Sequence, residues 1–276
     1  MSQEIQKIQK LRKLTNIGIV KCKKALIESK GDFNLAVKIL RKMGEKISRN
    51  YNLKNTKEGV VFIKINKKKN SGIIISLACE TDFVVKNELF QNLGEEVSEL
   101  TLSVLPDNIL DIGKIKNQKG QTVNENIISL INKLGEKIKI KEYYKIEGDL
   151  IISYLHSNKK IGVLLELNKT KNLEDNSLYK DIAMQIAAMN PIAINKEDIN
   201  SEIINKEIEI IKINLIKKNI KDSILNNIIS GKIKKFHQEN TLLNQKFIKD
   251  NSISILNYIN KIDKELKIKK YKKIIF

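Results

Sequence analysis

Apolar residues at the start of the chain recur three and four positions apart, which is the spacing of one helix face. The predicted faces consist of Ile5, Ile8 and Leu11, then Ile19, Cys22 and Leu26, then Leu35, Ile39 and Leu40. Gly31 and Asp32 provide a C-terminal glycine and an N-cap aspartate between the second and third helices. The pattern predicts a compact three-helix module over residues 1–44, and the polar segment 45–57 is predicted to be a linker.

Strand patterns follow this linker, and they occur twice. β-Branched runs at 59–66 and 72–78 flank a polar turn, and similar runs at 150–156 and 161–167 flank another. A helical pattern follows each hairpin, and a further helix and strand are predicted at 123–134 and 137–145. This order predicts an α+β fold with two related hairpin-plus-helix subdomains. The boundaries expected are 58–145 for core subdomain N and 146–196 for the first part of core subdomain C.

Beyond Pro191 the periodicity becomes helical again. One apolar face passes through Ile204, Ile208, Ile211 and Leu215, and a second continues through Leu225, Ile228 and Ile229. A break near 219–222 separates them, so a coiled-coil-like helical hairpin is predicted as an insertion at 197–236. Residues 237–276 are expected to complete core subdomain C. Within them, the alternation at 265–276 predicts an edge strand whose lysines discourage aggregation.

The charge of the chain raises one alternative function. The formal net charge is +19, with 51 lysines and arginines against 32 acidic residues. Such an excess attracts phosphate backbones, so the chain could be a lysine-rich RNA-binding or ribosome-associated protein. However, only Arg12, Arg41 and Arg49 are arginine, whereas phosphate and base recognition favours the guanidinium group. The lysines are spread over predicted helices and loops alike, so nucleic acid is not the expected partner.

Composition also argues against several other classes. Cys22 and Cys79 are far apart and belong to no Cys/His cluster, so no metal is expected and a reducing cytoplasm fits best. No apolar tract is long enough to cross a membrane. Two histidines, neither near a recognisable nucleophile, leave no catalytic set, so an enzyme is not expected. A glycine-rich phosphate loop is missing from the sequence, and we therefore expect neither direct nucleotide binding nor another cofactor.

Two motifs resemble signatures of the bacterial elongation factor Ts family. The segment from Leu11 to Leu26, followed by Gly31 and Asp32, is similar to the family pattern L-R-x-x-T-G-A-G-M-M-D-C-K-K-A-L. The segment from Cys79 to Val84 matches the family box C-E-T-D-F-V. The two occur in the family's order. His156, the run 161–163 and the helix 182–188 before Pro191 extend the resemblance over most of the chain.

The resemblance implies a ubiquitin-associated-like (UBA-like) N-terminal module and a two-subdomain core. It also implies elongation factor Tu as partner, with a 2:2 complex as one expected stoichiometry. The implied function is guanine-nucleotide exchange during translation elongation. In the family, the T-D-F-V loop contacts the GTPase domain of the partner, disturbs its magnesium site and releases GDP. A chaperone that stabilises the GTPase without strong exchange activity is the alternative within the same resemblance.

Individual site residues follow from the matched motifs. The exchange loop corresponds to Thr81, Asp82, Phe83 and Val84, and the other implied partner contacts are Arg12, Ile19, Val20 and His156. Without the family, Phe83 would be read as a core residue at a strand-ending turn, and His156 as a structural or surface histidine. Ile19 and Val20 could equally belong to the core of the small module. Solvent exposure separates these alternatives, because a contact residue must be accessible.

Overall fold

The computed structural model describes residues 3–15, 17–50, 55–168, 176–216 and 222–276. Helices and antiparallel sheets are mixed along the chain, which confirms the α+β class. The helices are α1 (Gln3–Thr15), α2 (Ile19–Glu28), α3 (Phe33–Asn50), α4 (Asp82–Val85), α5 (Glu88–Val104), α6 (Ile109–Ile112), α7 (Val123–Leu134), α8 (Asn176–Met189), α9 (Ser201–Ile216), α10 (Asp222–Asn240) and α11 (Ile255–Ile262). The strands are β1 (Glu58–Ile65), β2 (Ser71–Cys79), β3 (Lys139–Glu147), β4 (Leu150–Leu155), β5 (Ile161–Leu167), β6 (Lys246–Phe247), β7 (Asp250–Ser254) and β8 (Ile268–Ile275).

Helices α1, α2 and α3 share a small hydrophobic core. Its buried members are Ile8, Leu11, Ile17, Cys22, Ala25, Leu26, Ala36 and Leu40. The predicted faces were therefore right in part, since Ile5, Ile19 and Leu35 are about half exposed. Ile17, which precedes α2, is buried in this core, and Ala36 lies one turn before Leu40 on the buried face of α3.

Helix α3 is longer than the sequence pattern predicted. It continues to Asn50, so residues 45–50 are helical although they were assigned to a linker. The segment contains no proline, and glutamate, lysine and arginine have good helix propensity, so nothing in its residue types ends the helix. Residues 51–54 of the expected linker lie outside the described residues. Helix α3 packs against α7, and this contact joins the N-terminal helices to the rest of the protein.

In the described part of the chain, two three-stranded antiparallel sheets pack face to face. Their strand orders are β1-β2-β3 and β4-β5-β8. The layer between them is apolar and consists of Val61, Ile74, Ile146, Ile151, Leu164 and Ile274. Gly162 permits a close approach there, because a Cβ at this position would lie 2.6 Å from Cγ1 of Val61. Both predicted hairpins are thus present, and β8 is the predicted edge strand.

Helices cover the outer faces of both sheets. Helices α5 and α7 pack on the first sheet through a cluster that includes Phe62, Phe90 and Ile131. Helices α8 and α11 cover the second sheet through a cluster that includes Tyr179, Ile182 and Ile255. Each hairpin is therefore buried on both faces, which explains why its strands read as continuous apolar runs rather than as alternating patterns.

Helices α9 and α10 pack against each other as the predicted helical hairpin. Their described limits, 201 and 240, differ by about one helical turn from the expected range 197–236. The predicted break near 219–222 falls largely in 217–221, which lies outside the described residues. Buried amides fix the base of the hairpin, since Nε2 of Gln185 donates to Oε1 of Gln245 at 3.1 Å and Nε2 of Gln245 donates to the Glu239 carbonyl at 2.9 Å.

Several short elements had no counterpart in the sequence pattern. These are α4, α6, α11, β6 and β7. Four of them contain only two to five residues, and α11 contains eight, so none spans the three or four turns that make a periodic pattern clear. Among the helices of the described residues, none combines the length and the apolar character needed to cross a membrane.

Candidate functional site

The segment after β2 forms a single helical turn that presents an aromatic ring to solvent. Strand β2 ends at Cys79, helix α4 covers 82–85, and α5 begins at Glu88 with Asn87 as its N-cap. The side chain of Phe83 is 79% exposed. Such exposure of a large aromatic residue is unusual and typical of a contact surface. Phe83 is therefore not the core residue that its local pattern alone would predict.

The prediction that Val84 contacts the partner needs a correction. The Val84 side chain is only 7% exposed and belongs to the core cluster beneath α5 and α7. Successive residues of a helix point about 100° apart, so Phe83 and Val84 cannot both face solvent on a turn that lies against the protein. Val84 anchors the turn from below. It does not contribute a contact surface, contrary to the prediction from the family motif.

Thr81 is fixed by a carboxylate from a distant part of the chain. Its backbone N–H donates to Oε2 of Glu136 at 3.0 Å, and its hydroxyl donates to Oε1 of the same residue at 2.6 Å. Cys79 also supports this position, since its Sγ donates to the Thr81 carbonyl at 3.2 Å. Burial, together with the nearby Glu136 carboxylate, raises the pKa of Cys79 to about 12. At neutral pH this cysteine is therefore a thiol donor and not a nucleophile.

Asp82 stabilises the turn rather than capping it. Its carboxylate accepts a hydrogen bond from Nζ of Lys86 at 3.0 Å, one turn further on. This hydrogen bond holds the pKa of Asp82 below its ordinary value. The N-cap position is occupied by Thr81, whose hydroxyl is committed to Glu136. Asp82 remains accessible beside Phe83, so it can also accept a hydrogen bond from another molecule.

His156 lies in the turn that follows β4. Its imidazole is half-buried, with Nδ1 3.0 Å from Oδ1 of Asn158 and the ring edge-on to Tyr154. The same turn reaches the α4 region, because Nζ of Lys159 donates to Oε1 of Gln91 at 2.9 Å. Gln91 in turn donates from Nε2 to the carbonyl of Val85, the last residue of α4, at 2.7 Å. The side chains of Lys159 and Gln91 thus connect the His156 turn to the Phe83 turn.

Arg12, Ile19 and Val20 lie on the surface of the N-terminal helices. Ile19 is 50% exposed and Val20 is 69% exposed at the start of α2, and Arg12 is exposed on α1. The alternative that these aliphatic residues form the module core is therefore wrong. Leu14, which was not singled out from the sequence, is also 66% exposed nearby in the chain. The module thus exposes three large apolar side chains, at Leu14, Ile19 and Val20, as well as the cationic Arg12.

Comparison with known proteins identifies the family. A family model described as elongation factor TS matches residues 80–275. The elongation factor Ts of Amoebophilus asiaticus (strain 5a2) is 38% identical over 275 residues, covering 100% of this chain and 99% of the relative. That of Cytophaga hutchinsonii is 38% identical and covers 97% of this chain and 96% of the relative. The chain belongs to the elongation factor Ts family.

Elongation factor Ts from Baumannia cicadellinicola is also similar, with 40% identity covering 89% of this chain and 84% of the relative. The interpretation of the two motifs as elongation factor Ts signatures is thereby confirmed. The family match begins at Glu80, so the whole α4 turn lies inside it, whereas α1, α2 and α3 precede it. The elongation factor Ts assignment therefore rests on the core of the fold as well as on the short motifs.

Sequence reasoning missed two residues that shape the site. Glu136 lies 55 positions after Thr81, and Gln91 is one of many polar residues on α5. Neither belongs to a recognisable motif. Glu136 follows the left-handed Gly135 that ends α7, so it lies in a sharp connection between α7 and β3. That glycine was the only sequence signal that a polar side chain would be held in a fixed direction there.

Proposed function

We propose that this chain is a guanine-nucleotide exchange factor that accelerates GDP release from elongation factor Tu. One observation carries the proposal: in a member of the elongation factor Ts family, Phe83 projects into solvent from an anchored helical turn. A rigid aromatic ring loses little conformational freedom when it enters an apolar pocket, which suits it to an interface anchor. Insertion beside the magnesium site would weaken the electrostatic support of the diphosphate.

The energy required is larger than one ring can provide. Burying a phenyl side chain stabilises a complex by roughly 2–3 kcal/mol. Lowering GDP affinity 1,000-fold requires a coupling of about 4 kcal/mol, and nucleotide must weaken the binding of the exchange factor by the same factor. We therefore propose that Thr81 and Asp82 accompany Phe83 at the interface. His156 contributes from the neighbouring turn.

Arg12, Ile19 and Val20 are proposed to form a second contact with the same GTPase. Their exposed aliphatic carbons can bury apolar area, and the guanidinium can pair with a carboxylate of the partner. A second contact supplies affinity that does not depend on the state of the nucleotide site. In this division of roles the N-terminal module binds the GTPase, while the α4 turn disturbs its nucleotide site.

The proposed organisation follows the expected domain boundaries with two changes. The UBA-like module of residues 1–44 has a last helix that extends to Asn50, and the helical hairpin lies at 201–240 instead of 197–236. Residues 58–145 form core subdomain N, and 146–200 with 241–276 form core subdomain C around the hairpin. We propose that the protein works in the cytoplasm without a cofactor and without catalysing a chemical reaction. A 2:2 complex with the GTPase remains part of the proposal.

Stopped-flow fluorescence of labelled GDP bound to elongation factor Tu tests the function. Addition of this chain should accelerate the release of labelled GDP, and the rate should saturate with its concentration. Unchanged release would overturn the proposal. Stable binding of the GTPase without acceleration would favour the chaperone alternative. Binding of RNA that weakens steeply with salt, combined with no binding of the GTPase, would favour the RNA-binding alternative.

A further inference from the structure

Helix α4 cannot hold its own conformation. It contains four residues, and a single helical turn fixes more backbone freedom than its hydrogen bonds repay. Its N-cap side chain makes no capping hydrogen bond. Yet this turn carries Phe83, which must keep a defined direction to enter a pocket on another molecule. The conformation of α4 must therefore be imposed by the residues around it.

The first constraint acts before the turn. Both carboxylate oxygens of Glu136 are used on Thr81, one by the backbone N–H and one by the hydroxyl. Hydrogen bonds to an ionised acceptor are about twice as strong as neutral ones. A neighbouring bond repeats the connection, because the N–H of Lys137 donates to Oε1 of Glu80 at 2.7 Å. Residues 80–81 are thus held against residues 136–137 by three hydrogen bonds.

The second constraint acts after the turn. The side chain of Gln91 donates to the carbonyl of Val85 at 2.7 Å and accepts from Nζ of Lys159 at 2.9 Å. The Lys159 carbonyl accepts from the N–H of Val61 at 2.8 Å, so the turn that carries His156 is itself fixed on β1. Gln91 therefore sets the position of α4 relative to that turn as well as closing its C-terminal end.

We infer that Glu136 and Gln91 are positioning residues for exchange, holding the α4 turn so that Phe83 and the His156 turn present one pre-formed surface. This inference rests on the proposed exchange function. Neither residue needs to touch the GTPase. Their contribution is to remove, before binding, the freedom that α4 would otherwise lose in the complex.

Hydrogen exchange tests the positioning directly in the free, full-length protein. The amides to follow are Val85 and Lys86, which donate to the carbonyls of Thr81 and Asp82 within α4. Glu136→Ala should lower their protection about tenfold, the loss expected for hydrogen bonds to a charged group. Glu99→Ala is the matched control, since it removes a carboxylate bonded to Lys64 on the same half of the protein. Unchanged protection in Glu136→Ala would overturn the inference.

Substitutions at Gln91 separate its two contacts. Gln91→Glu keeps an acceptor for Lys159 but replaces the donor to the Val85 carbonyl with an oxygen that repels it. It should therefore lower the protection of the α4 amides while leaving the His156 turn in place.

The Glu136→Gln variant tests whether both carboxylate oxygens are needed. This variant retains one acceptor oxygen, so the protection of its α4 amides should lie between that of the unaltered chain and that of Glu136→Ala. Equal behaviour of Glu136→Gln and Glu136→Ala would contradict the bidentate role of the carboxylate.

A double-mutant cycle on GDP release distinguishes positioning from general stabilisation. Glu136→Ala should slow catalysed release about tenfold in the unaltered chain and hardly at all in a Phe83→Ala background, because it acts through Phe83. Equal factors in both backgrounds would show that Glu136 does not act through Phe83. If the unaltered chain itself fails to accelerate release, the proposed function fails first. Acceleration that survives Glu136→Ala undiminished would reject the positioning role alone.

Discussion

Two exposed apolar surfaces of this protein are supported in different ways. Ile19 and Val20 lie on α2, a ten-residue helix whose opposite face is buried through Cys22, Ala25 and Leu26. Phe83 lies on α4, a four-residue turn with Val84 as its buried residue. Thr81 donates to Glu136 before the turn, and Gln91 donates to its last carbonyl. Packing supports the first surface, whereas polar contacts at both ends of α4 add to the packing of Val84 beneath the second. Different substitutions should therefore disrupt the two surfaces.

The largest effect is expected from a cavity under the first surface. Leu11 is fully buried in the module core, so Leu11→Ala should cost about 3 kcal/mol of module stability. A module with a core of this size has only marginal stability, so α1 to α3 should lose most of their protection from hydrogen exchange. Affinity for the GTPase should fall while the α4 amides keep their protection. If the variant with an unfolded module still bound the GTPase with full affinity, the proposed N-terminal contact would be wrong.

Removing the ring on the second surface should affect function and not stability. Phe83→Ala should slow catalysed GDP release by about 100-fold, the scale of an interface hot spot. The melting temperature should hardly change, because the side chain is 79% exposed. Leu110→Ala is the matched control, since Leu110 is 78% exposed on the same half of the protein. A comparable rate loss for both variants would show that Phe83 has no special role.

A smaller effect is expected at the surface of α2. The double variant Ile19→Ala, Val20→Ala should weaken binding of the GTPase about tenfold, measured by titration calorimetry. The maximal rate of GDP release at saturation should change little, because the α4 turn is intact. Ile27→Ala provides the control, as Ile27 is 61% exposed on the same helix. If the maximal rate falls and affinity does not, the division of roles between the two surfaces is wrong.

The smallest effect concerns the ion pair within α4. The pKa of Asp82 is lowered in the folded protein by its bond to Lys86. Asp82 therefore stabilises the turn fully above the ordinary pKa of an aspartate. This stabilisation is lost as the pH falls through the pKa that Asp82 has in the folded protein. Lys86→Ala should lower the protection of the α4 amides by less than about twofold, with Lys114→Ala as control for a similar exposed pair with Asp111. A loss larger than that of Glu136→Ala would mean that α4 depends on this pair more than on Glu136.

Patterns in the sequence predicted the larger elements well, and the reason is physical. The hairpins and the helices α5, α7 and α8 bury long apolar faces, so many residues of each element follow a clear hydrophobic pattern. Pro191, which follows α8, also marks a real boundary. The motif made Phe83 a candidate contact, and the ring is exposed, but motif membership alone could not tell that Val84 is buried.

What the sequence could not predict depends on contacts between distant residues. The bond between Glu136 and Thr81 joins segments that only the pairing of β2 with β3 brings together. Ile19 shares a predicted helix face with Cys22, yet Ile19 is exposed, and Ile17, which lies outside the helix, is buried in the module core. Helix spacing describes one element at a time, whereas burial is decided by the elements that pack on it.

The late position of β8 affects the order in which the protein can fold as it leaves the ribosome. Strand β3 begins at Lys139, 60 positions after β2 ends at Cys79, so the first sheet can close well before β8 is synthesised. The edge of β5 that faces β8 must wait for another hundred residues, including the whole helical hairpin, to be synthesised. During that interval the nascent chain exposes an unpaired apolar strand, which is the state that other chains can capture and that holding chaperones protect.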